Sequence, residues 1–285
     1  MFRFCFLYFT TFFILTSCNS SGESSKTVPA LKSTTCVNES ELLASGIVGG
    51  TRVHPEDSDA KTVMMLYSSG ELCTAAALTP RILVTAAHCV AGPASKAFAG
   101  FHTSLSCESG FDSRYNTIAV KEFIVHPDYE KLYGRVDSKN DIALVVLNEA
   151  IPFGYPTYRI ADPDDLVESN ELYSWGYGDI GYKGGGAGIL RKTEFAKKDY
   201  EINSELKQIL INQSKGHGIC QGDSGGPGLV KIDGELEILG VNSSVQTSSG
   251  IESRLCADKA KLTLVQPYLA WIKTALDKHG EKLLN

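Results

Sequence analysis

The chain lacks an excess of basic residues. Its 27 Lys and Arg against 33 Asp and Glu leave a net charge of −6, which argues against nucleic acid as a partner and otherwise bears only on solubility and steering. Long hydrophobic runs are missing as well: Phe4 to Thr16 falls short of the roughly 20 apolar residues that a membrane-spanning helix needs. No cluster of His and Cys has zinc spacing and no acidic loop has the pattern of a calcium site, so neither a metal nor another cofactor is expected. No repeat of fixed period occurs, and helical periodicity is nearly absent outside the C-terminus. What remains is a chain of 285 residues, 43% hydrophobic, enough to bury one large core or two small ones.

The N-terminus carries an address. Arg3 followed by the short apolar run has the form of an export signal. The run closes in Leu15-Thr16-Ser17-Cys18, which resembles the lipobox of bacterial lipoproteins, where cleavage precedes the cysteine and lipid is attached to its sulfur. The alternative is an ordinary secretory signal in which Cys18 falls there by chance. Several acyl chains on Cys18 would anchor the protein stably, since one alone binds only marginally. Asn19, where an aspartate is absent, points such a lipoprotein to the outer membrane of a diderm bacterium. Residues 19–46, rich in Ser, Thr, Glu and Lys, form a tether and pro-segment, a coil with a typical end-to-end distance of about 30 Å. Of eight cysteines, Cys5 and Cys18 belong to the signal. Cys36, Cys73, Cys89, Cys107, Cys220 and Cys256 are left in an oxidising compartment, where fifteen pairings are possible.

From residue 47 to 285 the pattern is that of one globular unit. Short runs rich in Val, Ile, Leu and Tyr (62–67, 82–85, 118–125, 142–147 and 237–241) alternate with Gly, Pro, Asn and Asp clusters. Many short strands imply an all-β barrel or sandwich. One helix is expected at the C-terminus, where Val265, Leu269, Ile272 and Leu276 form an apolar face around Pro267. The glycine-rich stretch Gly178 to Gly188 cannot be a regular strand and is expected to be a loop.

Three segments carry chemistry. In Gly222-Asp223-Ser224-Gly225-Gly226-Pro227, small residues flank one serine and leave its hydroxyl and the neighbouring N–H groups open to a reacting group. A serine hydroxyl is nearly inert at neutral pH, so it needs a base within reach and a group to orient that base. Thr85-Ala86-Ala87-His88-Cys89 supplies the histidine. Asp141 supplies the carboxylate: unlike Asp137, it directly precedes an apolar strand, whose mouth can shield it from water. His54, His102, His126, His217 and His279 sit in polar or turn-like contexts and are taken as structural or solvated. The N–H groups of Gly222 and Ser224 are the expected oxyanion hole.

Taken with Ile47-Val48-Gly49-Gly50 and Tyr268-Leu269-Ala270-Trp271-Ile272, these segments resemble the chymotrypsin/trypsin-like serine proteases over residues 47 to about 280. The resemblance implies two six-stranded antiparallel β-barrels with a C-terminal helix, His88 and Asp141 on the first barrel and Ser224 on the second. It implies an endopeptidase acting on proteins or peptides, without a cofactor, and a monomer is expected. It singles out the disulfides Cys73–Cys89 and Cys220–Cys256, which leaves Cys36 and Cys107 to each other. It also implies a zymogen, in which a cut before Ile47 frees an α-amino group to pair with Asp223. Gly46, rather than Lys or Arg, precedes that cut, so a trypsin-like activator is not expected to work.

The pocket follows from the same likeness. Gly218, six residues before Ser224, stands at the base, with no acid to neutralise a buried Lys or Arg. Ile219 beside it is bulky and apolar, and Val245 at the mouth resembles the elastases, so small side chains are expected before the scissile bond. Ser243 is expected to bind substrate backbone, while Ser244 stands where the family usually has Trp, and 246–255 is longer than usual. Two other functions remain to be distinguished: a protease-fold binding protein or adhesin, and an esterase. The intact triad and activation sequence speak against the first and Ser243 against the second.

Overall fold

The computed structural model describes Cys36 and residues 47–284 apart from 58–61, 68–71, 91–92, 131–137, 168–169, 180–186 and 247–255. The export signal with Cys5 and Cys18, the tether apart from Cys36, Asp137, the middle of the glycine-rich stretch and all but Gln246 of the segment 246–255 therefore lie outside the described residues.

After a short β1 (Thr51–Arg52), six strands close into a barrel: β2 (Val63–Tyr67), β3 (Leu72–Ala77), β4 (Ile82–Thr85), β5 (Ala97–Gly100), β6 (Thr117–Val125) and β7 (Ala143–Leu147). Their order around it is β2-β3-β4-β7-β6-β5. The runs Ile82–Thr85 and Ala143–Leu147 are apolar without alternation because they are buried on both faces. Leu83, Ala143, Val145 and Leu147 point into the barrel. Ile82, Val84, Ile142 and Leu144 point the other way, into a cluster shared with Trp175, Tyr177 and Val241 of the second half.

The second half comprises β8 (Arg159–Ile160), β9 (Leu172–Gly176), β10 (Arg191–Phe195), β11 (Tyr200–Asn203), β12 (Gln208–Asn212), β13 (Pro227–Ile232), β14 (Glu235–Gln246) and β15 (Lys259–Leu264). With β1 they form a nine-stranded sheet ordered β1-β10-β9-β13-β14-β15-β12-β11, with β8 against β14. Among the described residues this ladder runs as an open path curled around its own core, in keeping with the all-β, two-part trypsin-like fold expected, with its C-terminal helix. β1 pairs the outer edge of β10 at Arg191 and Lys192. Between β10 and β11 the chain itself crosses the gap through one 3-10 turn, Lys197–Asp199, while Phe195, Tyr200, Ile209 and Ile211 fill the interior.

The C-terminal helix α1 (Leu269–Lys278) lays Ile272, Ala275 and Leu276 on the cluster that joins the two halves. Among the described residues no helix is long and apolar enough to cross a membrane. Among the described residues there are three disulfides: Cys36–Cys107, Cys73–Cys89 and Cys220–Cys256.

Candidate active site

His88 lies in the turn Ala87–Val90 at the end of β4, and the Cys73–Cys89 disulfide ties that turn back to β3. Cys73 and Cys89 stand beside the His88 ring, but both sulfurs are committed to the disulfide and offer no thiolate to a metal. Asp141 enters at the start of β7. Asn140 before it takes a left-handed backbone (φ 51°), a conformation asparagine tolerates better than most residues, and its side chain accepts a hydrogen bond from the Tyr268 hydroxyl at 2.9 Å. That turn aims Asp141 inward, where it is 1% exposed.

The carboxylate is saturated with donors. Oδ2 lies 2.8 Å from His88 Nδ1 and accepts the Ser243 hydroxyl at 2.6 Å, and Oδ1 accepts the His88 main-chain N–H at 2.9 Å. Burial alone would raise this carboxyl, but the His88 charge and the hydrogen bonds from His88 and Ser243 outweigh it, and Asp141 sits below its ordinary value. An ionised Asp141 accepting at Nδ1 fixes the proton on that nitrogen and leaves Nε2 to act as a base.

Ser224 sits on a loop clamped from both halves of the molecule. Its carbonyl accepts the Thr74 N–H of β3 at 2.8 Å, and Gly225 donates to Asn242 of β14 at 2.7 Å. Gly222 has φ +92°, and a Cβ there would lie 2.8 Å from Gly178 Cα, so both the backbone conformation and the space demand glycine. Among the described residues nothing engages the N–H groups of Gly222 and Ser224.

Ile47 and Asp223 are both fully buried. The segment after Ile47 is docked, Val48 and Gly218 exchanging two main-chain hydrogen bonds of 2.9 Å. Asp223 accepts N–H groups from Gly178 and Cys220 at 2.8 Å each, and no described residue forms an ion pair with it. Its carboxyl is pushed up to about 7, by burial first and by Asp179, against the opposing pull of the Cys220 and Gly178 N–H donors and Arg191.

The pocket residues are placed differently from one another. A Cβ on Gly218 would fall 2.3 Å from the buried Gln213 side chain, so Gln213 already fills the space an acid at this base would need. Gln213 accepts from the Ile219 N–H at 2.7 Å and donates to the carbonyls of Ile219 and Cys256 at 3.1 Å, joining the segments on either side of the Cys220–Cys256 disulfide. Ile219 is 2% exposed and packs into the core of the second sheet beside Gly218. Val245 is half-buried against the same core. Ser243 differs in role: its hydroxyl is committed to Asp141. The register between β14 and β15 skips Ser243, a bulge that leaves its main chain outside the ladder.

The contacts made by Thr74, Gln213, Asn140 and Tyr268 are not among the sequence expectations. Each acts through a partner far along the chain, and only Asn140, preceding the strand, carries a local turn signal. His126 packs edge-on against Tyr268 and Trp271, and His217 stacks on Phe195, as structural histidines do.

Residues 47–272 match the family model described as Trypsin. The chain is 27% identical over 250 residues to "Chymotrypsin-like elastase family member 1" of Felis catus, covering 81% of this chain and 89% of that protein. It is 31% identical over 209 residues to "Trypsin" of Simulium vittatum, with coverages of 67% and 79%. To "Venom serine protease" of Polistes dominula it is 26% identical over 201 residues, with coverages of 64% and 69%. With the family's model spanning most of its length, the chain belongs to the trypsin family and is a serine endopeptidase, a hydrolase of proteins or peptides.

Proposed function

We propose that the protein is an exported zymogen whose mature form cuts peptide bonds through Ser224, His88 and Asp141. Ser224 Oγ attacks the scissile carbonyl carbon as its proton passes to His88 Nε2, and the negative oxygen is received by the N–H groups of Gly222 and Ser224. His88 then gives the proton to the leaving amine; water, deprotonated by the same nitrogen, hydrolyses the acyl-enzyme and restores Ser224. Asp141 stays ionised and stabilises the imidazolium. The observation that carries this reading is the buried, fully bonded Asp141 on His88 Nδ1, with two unengaged N–H groups on the serine's own loop.

A preference for small or apolar side chains before the scissile bond is supported by Gly218 backed by Gln213, by Val245, and by the likeness to proteins named chymotrypsin-like elastase. Cleavage between Gly46 and Ile47 then suits the enzyme's own specificity. Purified residues 19–285, incubated alone and reduced before mass analysis, should yield a product beginning at Ile47 that is absent from Ser224→Ala, and a fluorophosphonate probe should label the processed wild type only. Processed protein that refuses the probe would favour the binding-protein reading.

Export and anchoring through Cys18 complete the proposal, with the cell envelope as location. The Cys36–Cys107 disulfide bears on what cleavage releases. Processed but unreduced protein should run as one mass that includes residues 19–46 and separate into two on reduction. Two masses without reductant would mean that maturation frees the catalytic unit from its tether.

A further inference from the structure

Thr74 is fully buried in β3, followed by Ala75, Ala76 and Ala77. A lone hydroxyl in such surroundings must find partners, and its partners here lie across the molecule. Oγ1 donates to the Gly222 carbonyl at 3.0 Å and accepts the Tyr177 N–H at 3.2 Å, while the Thr74 main-chain N–H donates to the Ser224 carbonyl at 2.8 Å. Its own carbonyl accepts the Thr85 hydroxyl at 2.8 Å, which fixes the strand from the opposite side.

The Gly222 carbonyl belongs to the peptide unit between Gly222 and Asp223. The units on either side of it carry the Gly222 and Ser224 N–H groups. We propose that Thr74 is a positioning residue for the oxyanion hole: by holding the carbonyls of Gly222 and Ser224 toward β3, it keeps the two N–H groups turned outward together. Gly222 needs such a restraint, because a glycine at φ +92° has no side chain to limit rotation of its peptide units. Donors fixed in advance stabilise a developing oxyanion without reorganising during the reaction, so loosening them lowers the rate and not substrate affinity. Through Tyr177 the same hydroxyl also reaches the segment whose next residue, Gly178, donates to Asp223. This assignment rests on the Ser224 reading above.

The test compares mature wild type with Thr74→Val, which keeps the shape and loses the donor, and Thr74→Ser, which keeps the donor. Thr62→Val serves as control: its buried hydroxyl bonds the Ala75 carbonyl in the same barrel and does not touch the nucleophile loop. Turnover is measured on a peptide anilide with alanine before the scissile bond and normalised by fluorophosphonate titration, so that unfolded molecules do not enter. A peptidyl boronic acid of the same sequence reports binding of the oxyanion. Thr74→Val should lose about 10- to 100-fold in kcat, less than the ~10²–10³ of a missing oxyanion donor, with KM within about threefold and boronate affinity falling in parallel. Thr74→Ser should recover most of the rate, and Thr62→Val should keep it. If Thr74→Val does not fold, Thr74→Ala carries the same expectation. A labelled, active wild type with an equally fast Thr74→Val, a loss confined to KM, or an equal loss in Thr62→Val overturns the Thr74 assignment alone. A wild type that neither takes the probe nor cleaves overturns it together with the Ser224 reading.

Discussion

Replacing Asp141 by Asn should lower kcat by about 10⁴-fold, the size of loss characteristic of this triad, while the protein still folds and KM changes little. The two side chains have nearly the same shape, so packing is kept. What changes is the proton. Asp141 Oδ2, 2.8 Å from His88 Nδ1, can only accept, and so holds Nδ1 protonated and Nε2 free. An asparagine whose oxygen keeps the Oδ1 position accepts the His88 main-chain N–H, which puts its NH₂ in the Oδ2 position, facing Nδ1 and the Ser243 hydroxyl, which then turns to accept. That geometry selects the tautomer with the proton on Nε2, where it blocks transfer from Ser224. Because such a variant should not process itself, Ile47 is exposed by an external protease acting at a site inserted ahead of it. A loss of less than about tenfold, with Ser224 labelled as fast as in wild type, would remove Asp141 from the mechanism.

Much of this site can be read from the chain because its parts are local. Small residues around Ser224, a histidine at the end of one apolar run and an acid at the mouth of another are properties of contiguous segments. The runs at 82–85 and 142–147 also announce strands, and their lack of alternation is explained by two-sided burial between the barrel interior and the shared cluster. The devices that hold these parts in place leave little local trace. Thr74 bonds Gly222 across a sequence separation of 148 residues, and Ser243 reaches Asp141 across 102. In sequence Thr74 is one more small residue in a strand, and Ser243 one of two adjacent serines. The pairing of Thr51–Arg52 with β10 is equally invisible in sequence, since a two-residue strand carries no periodicity.

The second large effect concerns Asp223. In the intact chain the carboxyl is wholly buried, accepts two N–H groups and is pushed up to about 7 from the ordinary 3.8. The native state therefore keeps a proton that the unfolded chain releases near pH 4. Between about pH 4 and 7 the unfolded state binds fewer protons than the native one, so precursor stability should fall as pH rises, by an amount on the order of 4 kcal/mol if the whole shift is realised. Thermal melts of uncleaved Ser224→Ala should decline across that window, and the same protein carrying Asp223→Asn should not. On the proposed zymogen reading, cleavage before Ile47 should change the sign. A freed α-amino group gives the buried carboxylate a cation, and removing one member of such a pair typically costs ~3–5 kcal/mol, or roughly 10²- to 10⁴-fold in the population of the competent state. In mature enzyme, Asp223→Asn and acetylation of the Ile47 amine should each lower kcat/KM by that factor, and the two together should cost little more than either alone, as expected for groups that act as one pair. The amine, its own pKa raised by the carboxylate, supports the active form below its unpaired value near 8 and releases it as pH climbs through the raised value. Losses that simply add, or an acetylated enzyme at full activity, would break the link between Ile47 and Asp223 and leave the buried carboxyl as a structural acid that folds protonated.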